Sequence, residues 1–403
     1  MLSRLQSHPY PRQFWLMFAG MLISTTGASM IWPFLMIYAS ETLSLPLSTV
    51  TILMTLSSLM GLVSSFIAGP IVDRLGRKWA MAISLLVNGG GYLLLSRADT
   101  LPAFALAMAV NGTFNPIYRV GADAMLADLI PPQWRTDAYA LMRMSNNVGV
   151  ALGPAIGGFI ASRSYVIAFY CAAAGLAAYG LLVLLFARET LPPDASSSPA
   201  EPLGGYVQVL SDRLYRAFLV AFTLNQMVAA LIWVLLSAHV KRAYGIPESM
   251  YGWLPTTNAL MVVFFQYGVS RITQRFEPRR MMALGALLYA LAALGIAFSS
   301  TYPAFWVCMV VMTLGELILV PTSSTFAANL APAHMRGRYM SLYGLTWGVS
   351  AGISPLVGGN LYETLGARAM WLTGTLVGLG SSALFLRMGK RAEGQVTETA
   401  AGL

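Results

Sequence analysis

A chain of 403 residues that is 57% hydrophobic and only 10% charged cannot clothe a soluble globule, whose charged share is roughly 25%. A net charge of +9 could suit nucleic acid, but the basic residues sit in alternate breaks between apolar runs, which excludes that reading. What remains is a protein whose apolar surface faces lipid.

The runs are about 20 or more residues long, as a helix needs to cross a bilayer core. The short alternating segments of a transmembrane barrel are absent. The clearest runs cover 14–38, 79–95, 166–186, 217–240, 281–298 and 370–386. The sequence predicts an all-α membrane protein of twelve transmembrane helices, roughly over 13–38, 47–71, 79–96, 102–129, 136–161, 165–187, 214–240, 249–273, 280–299, 302–330, 336–362 and 367–387. The first run is too long for a signal-peptide core, and no small-residue cleavage site follows it.

With the amino terminus placed in the cytoplasm, loops on that side hold Arg74, Arg77, Lys78, Arg135, Arg213, Arg216, Arg271, Arg275, Arg279, Arg280, Arg336 and Arg338. Arg4, Arg12, Arg188, Arg387, Lys390 and Arg391 add to them, whereas the other face holds only Arg97, Arg163, Lys241, Arg242 and Arg368. Cytoplasmic loops of membrane proteins carry the excess of basic residues. The expected setting is the cell inner membrane, spanned many times, with both termini cytoplasmic.

Between the sixth and seventh spans, Pro192, Pro193, Pro199, Pro202 and a serine run at 196–198 have linker composition. They divide a first half at 1–190, a linker at 191–212 and a second half at 213–403. The halves repeat: a shift of 201 positions places Ala127 on Ala328, Pro131 on Pro332, Arg135 on Arg336, Pro154 on Pro355, and Gly157 and Gly158 on Gly358 and Gly359. Such agreement marks a duplicated six-helix unit. An even number of spans makes the two bundles parallel and pseudo-symmetric about the membrane normal, an arrangement in which substrate binds between the halves.

Joining the second and third spans is Gly69-Pro70-Ile71-Val72-Asp73-Arg74-Leu75-Gly76-Arg77-Lys78. Gly76 permits a tight turn, the basic residues anchor the loop, and Asp73 has no place in a topology signal. Here the sequence resembles the major facilitator superfamily. That resemblance implies its fold, and a gate in which Asp73 contacts the start of the eleventh helix in the opposite half and latches the cytoplasmic side shut. A carboxylate is stabilised at a helix amino terminus. The equivalent loop of the second half carries Gln274 in place of the aspartate.

In the fifth span, Gly149, Gly153, Pro154, Gly157 and Gly158 bring small residues to spacings that let helices approach closely in lipid. Their order resembles the motif the superfamily associates with antiporters, drug exporters above all, and implies export.

Away from span ends the charged residues are Arg119, Asp123, Arg143 and Glu316. Such groups are functional by default inside a membrane. Arg119 and Asp123, four apart, share a helix face. As a structural pair they partly neutralise each other; by resemblance Arg119 takes part in proton coupling, and Asp123 beside it is expected to share that role. Asp123 or Asp128 could instead extend the cytoplasmic cluster towards Arg77. Glu316 stands about 21 Å into the tenth span, paired by the repeat with Asn115. A carboxyl at that depth without a fixed cation favours its neutral form, so proton uptake and release become feasible near neutral pH. Its surroundings, Gly315-Glu316 with Pro321 five positions on, also resemble proton-coupled multidrug antiporters.

The resemblance to the superfamily implies a cavity lined by spans one, four, seven and ten, where most of Trp32, Asn111, Asn115, Tyr118, Asn225, Gln226, Trp233, Thr313, Tyr343 and Trp347 lie, so these residues are expected to line it. An aromatic pocket with few charges suits amphiphilic or cationic small molecules. The expected function is proton-coupled export of such compounds by a rocking, monomeric carrier driven by the proton gradient, with no cofactor, metal or nucleic acid. The alternative is a dedicated carrier of a metabolite such as a sugar, amino acid or lysolipid. No nucleophile or metal constellation suggests an enzyme, and His8, His239 and His334 lie at or beyond span edges.

Overall fold

Twelve long helices fill most of the described residues of a computed structural model, which cover 10–131, 134–191, 206–332 and 335–388. The linker prolines, the serine run, Arg4, His8, His334, Lys390 and Arg391 lie outside these residues. The first six helices are α1 (Arg12–Leu43), α2 (Leu47–Leu75), α3 (Arg77–Leu95), α4 (Leu101–Leu129), α5 (Arg135–Ala161) and α6 (Tyr165–Phe186). The second six are α7 (Arg213–Tyr244), α8 (Trp253–Thr273), α9 (Pro278–Phe298), α10 (Tyr302–Leu330), α11 (Arg336–Leu365) and α12 (Ala367–Arg387). A short helix, Tyr206–Ser211, falls within the stretch expected to be linker.

Local chemistry sets several ends. The Asp212 carboxylate accepts hydrogen bonds from the amides of Leu214 and Tyr215 at 3.0 and 3.1 Å, capping α7. Gly245, at φ +64°, closes its other end. Pro33 breaks α1 into a 3-10 turn at Trp32–Phe34, a departure from the continuous first span the sequence predicts.

Eight helices are apolar enough to cross a membrane by length and composition. The four less apolar ones are α4, α5, α8 and α11. The reason is visible in the packing. Within each half, α1 lies on α5 and α6, α2 on α4, α9 on α10 and α12, and α7 on α11 and α12; the halves meet where α2 packs on α11 and α5 on α8. Helices that face protein and a polar cavity can carry polar side chains that lipid would not tolerate.

The duplication repeats at atomic detail across this interface. Thr55 Oγ1 on α2 donates to the Gly352 carbonyl of α11 at 2.6 Å. Its partner one repeat later, Thr256 on α8, donates to the Ala151 carbonyl of α5 at 2.9 Å. Both carbonyls lie three residues before an intrahelical proline, Pro355 and Pro154, where the missing amide loosens the helical ladder.

Glycine brings α5 onto α1. A Cβ at Gly153 would lie 2.4 Å from Ser29 Cβ, and one at Gly157 would lie 2.1 Å from the Met30 carbonyl oxygen. Gly158 faces across the halves instead, 2.5 Å from the Glu248 carbonyl oxygen on the same measure. Backbone cannot yield as a flexible side chain does, so Gly157→Val should force α1 and α5 apart at a cost of about 1–3 kcal/mol. Gly90→Ala, with nothing within 4 Å, serves as the neutral control. We expect Gly157→Val to lower the melting temperature of the purified protein by several degrees relative to Gly90→Ala; equal melting temperatures would contradict the packing account.

Candidate functional site

The α2–α3 turn is built around Gly76 at φ +93°, where a Cβ would also come 2.3 Å from Glu189 Oε2. That carboxylate, just beyond α6, accepts from the amides of Arg77 and Lys78 at 2.9 and 3.1 Å. It satisfies the first donors of α3 and meets the positive end of the helix. Arg77 then bridges Asp73 on α2 and Asp128 on α4, both at 3.2 Å, and Thr190 donates to Asp128 at 3.0 Å. Of the two aspartates considered for this cluster, Asp128 joins it. Asp73 is 59% exposed and turned to Arg77 of its own half, and among the described residues it makes no hydrogen bond or ion pair with α11, where the expected gate contact would lie. Arg74 is exposed. In the second half Glu277 occupies the position equivalent to Gly76 and pairs with Arg279 and, at 3.0 Å, with Arg280.

At the opposite end the halves are tied together. Lys241 at the end of α7 pairs with Glu41 of α1 at 2.6 Å and with Glu248, which also accepts from Tyr165 of α6. Arg242 contacts Ser40 and lies 3.7 Å from Glu363 on α11. Glu363 Oε1 in turn accepts the Leu47 amide at 2.8 Å, capping α2, which has no side-chain cap of its own. Sequence reasoning missed this network. Its one signal was that Lys241 and Arg242 stand on a face otherwise poor in basic residues.

A cavity of about 680 Å³ opens between α1, α2, α4 and α11. Trp32, Asn111, Asn115 and Trp347 line it as expected, together with Arg119. The Pro33 break turns Trp32 outward, 46% exposed, and Trp347 is 44% exposed. Asn111, Asn115 and Arg119 recur every four residues, which stacks them along one face of α4.

Tyr118, Asn225, Gln226, Trp233, Thr313 and Tyr343 do not line this cavity, contrary to expectation. Tyr118 packs edge-on against Tyr179 of α6 at 5.9 Å. Asn225 and Gln226 are buried and bonded to each other at 3.3 Å. Trp233 packs on the apolar core, and Tyr343 stacks near Phe222 while sharing a hydrogen bond with Ser323 at 3.0 Å. Apart from Trp233, whose core cluster draws on both halves, each found its partner within one bundle, a choice that helix number alone does not reveal. Arg119 and Asp123 share a face and an electrostatic attraction, but form no ion pair within 4 Å among the described residues.

Glu316 lies in the interior of the second half. Asn258 Nδ2 of α8 donates to Glu316 Oε2 at 2.8 Å and to Thr313 Oγ1 at 3.0 Å. No cation pairs with it within 4 Å among the described residues, although Arg143 on α5 of the other half is close enough to attract it. Pro321 removes the amide that would have bonded the Leu317 carbonyl, and Gln266 Nε2 of α8 fills that place at 3.1 Å. The break in α10 therefore leaves α8 holding both Glu316 and the backbone one residue beyond it. Asn115, which the repeat matches to Glu316, lines the cavity, and Glu316 does not.

The sequence pattern of the Major Facilitator Superfamily matches residues 17–232 and 218–402. A Na(+), Li(+), K(+)/H(+) antiporter of Planococcus maritimus is 25% identical, over 84% of this chain and 86% of its own. The multidrug resistance protein MdtH of Yersinia pestis is 23% identical over 87% of each chain. The crystal structure of a peptide transporter, POT, superimposes with a TM-score of 0.81 over 93% of this chain and 94% of that one, at 16% identity, and so supports the fold alone.

The tie at the end bearing Lys241 and Glu248 has a defined pH window. Burial disfavours the charged form of Glu248, but the bonds from Lys241 and Tyr165 outweigh it and hold the carboxyl below its ordinary value of 4.5. A depressed carboxyl contributes its stabilisation above the ordinary value and loses it as pH falls through the lowered one. Spin labels at Arg163→Cys and Tyr244→Cys, with Cys171 and Cys308 replaced by alanine and Glu316 by glutamine so that it cannot titrate, should therefore report a short-separation fraction unchanged between about pH 6 and 8. Glu248→Gln in the same background should enlarge the longer-separation fraction at the same pH. A short-separation fraction that falls between those pH values while Glu248 is intact would refute the assignment.

Proposed function

We propose that this chain, which belongs to the Major Facilitator Superfamily, couples proton entry to the export of amphiphilic small molecules by alternating access. The observation that carries the reading is Glu316: a carboxylate inside the bundle, oriented by Asn258, with no cation in ion-pair contact among the described residues. The antiporter and multidrug names among its relatives support the same direction.

The basic end, with Arg74, Arg77, Lys78, Arg279 and Arg280, faces the cytoplasm under the positive-inside rule. On that assignment the network of Lys241, Glu248 and Glu363 closes the outside, and Asp73 stands disengaged on the cytoplasmic side. α2 and α11 run antiparallel, and each ends in a carboxylate placed to cap the other. Glu363 caps α2 in this state; Asp73 caps α11 in the state of opposite access. One latch forms as the other opens, so neither state is locked and the energy difference between them stays small.

Glu316 links this switch to the proton. Ionised, it draws Arg143 of the opposite half towards the second bundle; protonated, it releases that attraction. A proton taken from the outside and released to the cytoplasm thus changes the electrostatic bias between the halves once per cycle.

Reconstituted protein under an imposed pH gradient, given fluorescent amphiphiles of either charge sign, tests the coupling. Glu316→Gln should abolish gradient-driven movement while leaving gradient-independent binding within about threefold, and Asn258→Ala should slow turnover. Full gradient-driven transport by a folded Glu316→Gln protein would end this reading. Glu363→Gln should favour the outward-open state by roughly 1 kcal/mol, the usual scale for a charged helix cap, read as a fall in the inward-open fraction of spin-label distances.

A further inference from the structure

We propose that the cavity between α1, α2, α4 and α11 takes an amphiphile whose polar group is an oxyanion, held by Arg119, with its apolar part against Trp32 and Trp347. The proposal rests on reading that cavity as the transport pathway, and it assigns the charge of the cargo, which that reading leaves open.

Among the residues that line the cavity, Arg119 carries the one charged side chain. It is exposed there and makes no hydrogen bond or ion pair among the described residues. Asn115 and Asn111 continue the same face of α4 at successive four-residue steps; the Asn111 Oδ1 atom, an acceptor, is buried against Gly91 of α3 and is no part of the donor set. Ser57, Ser58 and Ser65 of α2 are also in the lining.

The chemistry follows from the donor set. A guanidinium offers N–H groups in a fixed fork that matches carboxylate, sulfonate or phosphate oxygens, and side-chain amides and hydroxyls add further donors. An organic cation would meet a like charge in this cavity with no carboxylate on its wall. Glu316 is turned to Asn258 in the second half, and Asp123 lies one turn along α4 beyond the lining residues. The indoles of Trp32 and Trp347 supply apolar area for the remainder of the molecule and fit either charge sign. Arg119 therefore decides the sign, and the tryptophans decide only that the cargo is amphiphilic.

Two ligands of the same aromatic body separate these roles: 1-naphthalenesulfonate and trimethyl-(1-naphthyl)ammonium. Equilibrium binding to the purified full-length protein in uncharged detergent needs no proton gradient. The sulfonate should bind at least about tenfold tighter than the ammonium, the scale of one charge-assisted bond. Arg119→Gln should remove that preference, Arg119→Lys should retain most of it, and Trp347→Ala should weaken both ligands alike. Competition by a single-chain lysophosphatidic acid would assign a lipid source for the oxyanion, and competition by benzoate alone a soluble one.

Equal binding of the two ligands by the wild-type protein, or unchanged sulfonate affinity in a folded Arg119→Gln, would overturn the proposal. If Arg119→Gln does not fold, the wild-type preference and the Arg119→Lys protein decide. Coupling is tested separately. A Glu316→Gln protein that still transported under a gradient would remove the proton role and leave the charge preference standing.

Discussion

Everything in this molecule depends on two helix pairs, α2 with α11 and α5 with α8, that carry most of the contact between the halves, with a smaller one where the end of α1 meets α7. In a bilayer the apolar faces of two helices gain little by leaving lipid for each other, so association rests on close backbone approach and on hydrogen bonds. The sequence supplies both. Gly158 and Gly252 let backbones meet where a Cβ would intrude, and Thr55 and Thr256 bond carbonyls of the opposite half at prolines. A glycine contact can slide and a single hydroxyl bond can be exchanged, so the joint holds without being permanent.

On the alternating-access reading proposed above, the ends of these helices determine which way the joint tilts. Both depend on a carboxylate meeting a helix amino terminus, but the two halves solve it differently. Glu189 caps α3 within its own half and fixes the loop that carries Asp73. Glu363 caps α2 from the other half, so its bond must break whenever the halves separate at that end. The same interaction is a brace in one place and, on the proposed cycle, a switch in the other, because only the second spans the interface between the halves.

The fold was legible because lipid imposes length and composition directly. The expected second, fifth, sixth and tenth spans differ from α2, α5, α6 and α10 by only a few residues at either end, and the threonine bonds between the halves obey the repeat offset. The break at Pro33 was written in the sequence but does not interrupt hydropathy, so a reading by apolar length passes over it. The network of Lys241, Glu248 and Glu363 was illegible for another reason. Glu363 and Leu47 are 316 positions apart, and no local pattern tells which loop ends approach in a given state. Asn225 and Gln226 illustrate the third kind of miss: a polar residue in a span satisfies itself either on a cavity or on a neighbour, and composition does not distinguish the two.

The placement of charge within the membrane completes the picture. Glu316 and Arg119 were natural members of one coupling site while only helix number was known. In three dimensions they separate: Glu316 is held by α8 inside the second half, and Arg119 stands on the wall of a cavity built mainly by the first. A group that must gain and lose a proton benefits from a partner such as Asn258, which orients it without fixing its charge. A group that recognises a ligand benefits from having no partner until the ligand arrives, because no internal bond must then be broken. The two halves of the duplication have diverged along that line, with Glu316 in the tenth helix where the fourth has Asn115. On the proposed reading, proton and cargo are bound on different bundles, and the motion of one bundle against the other is what connects them.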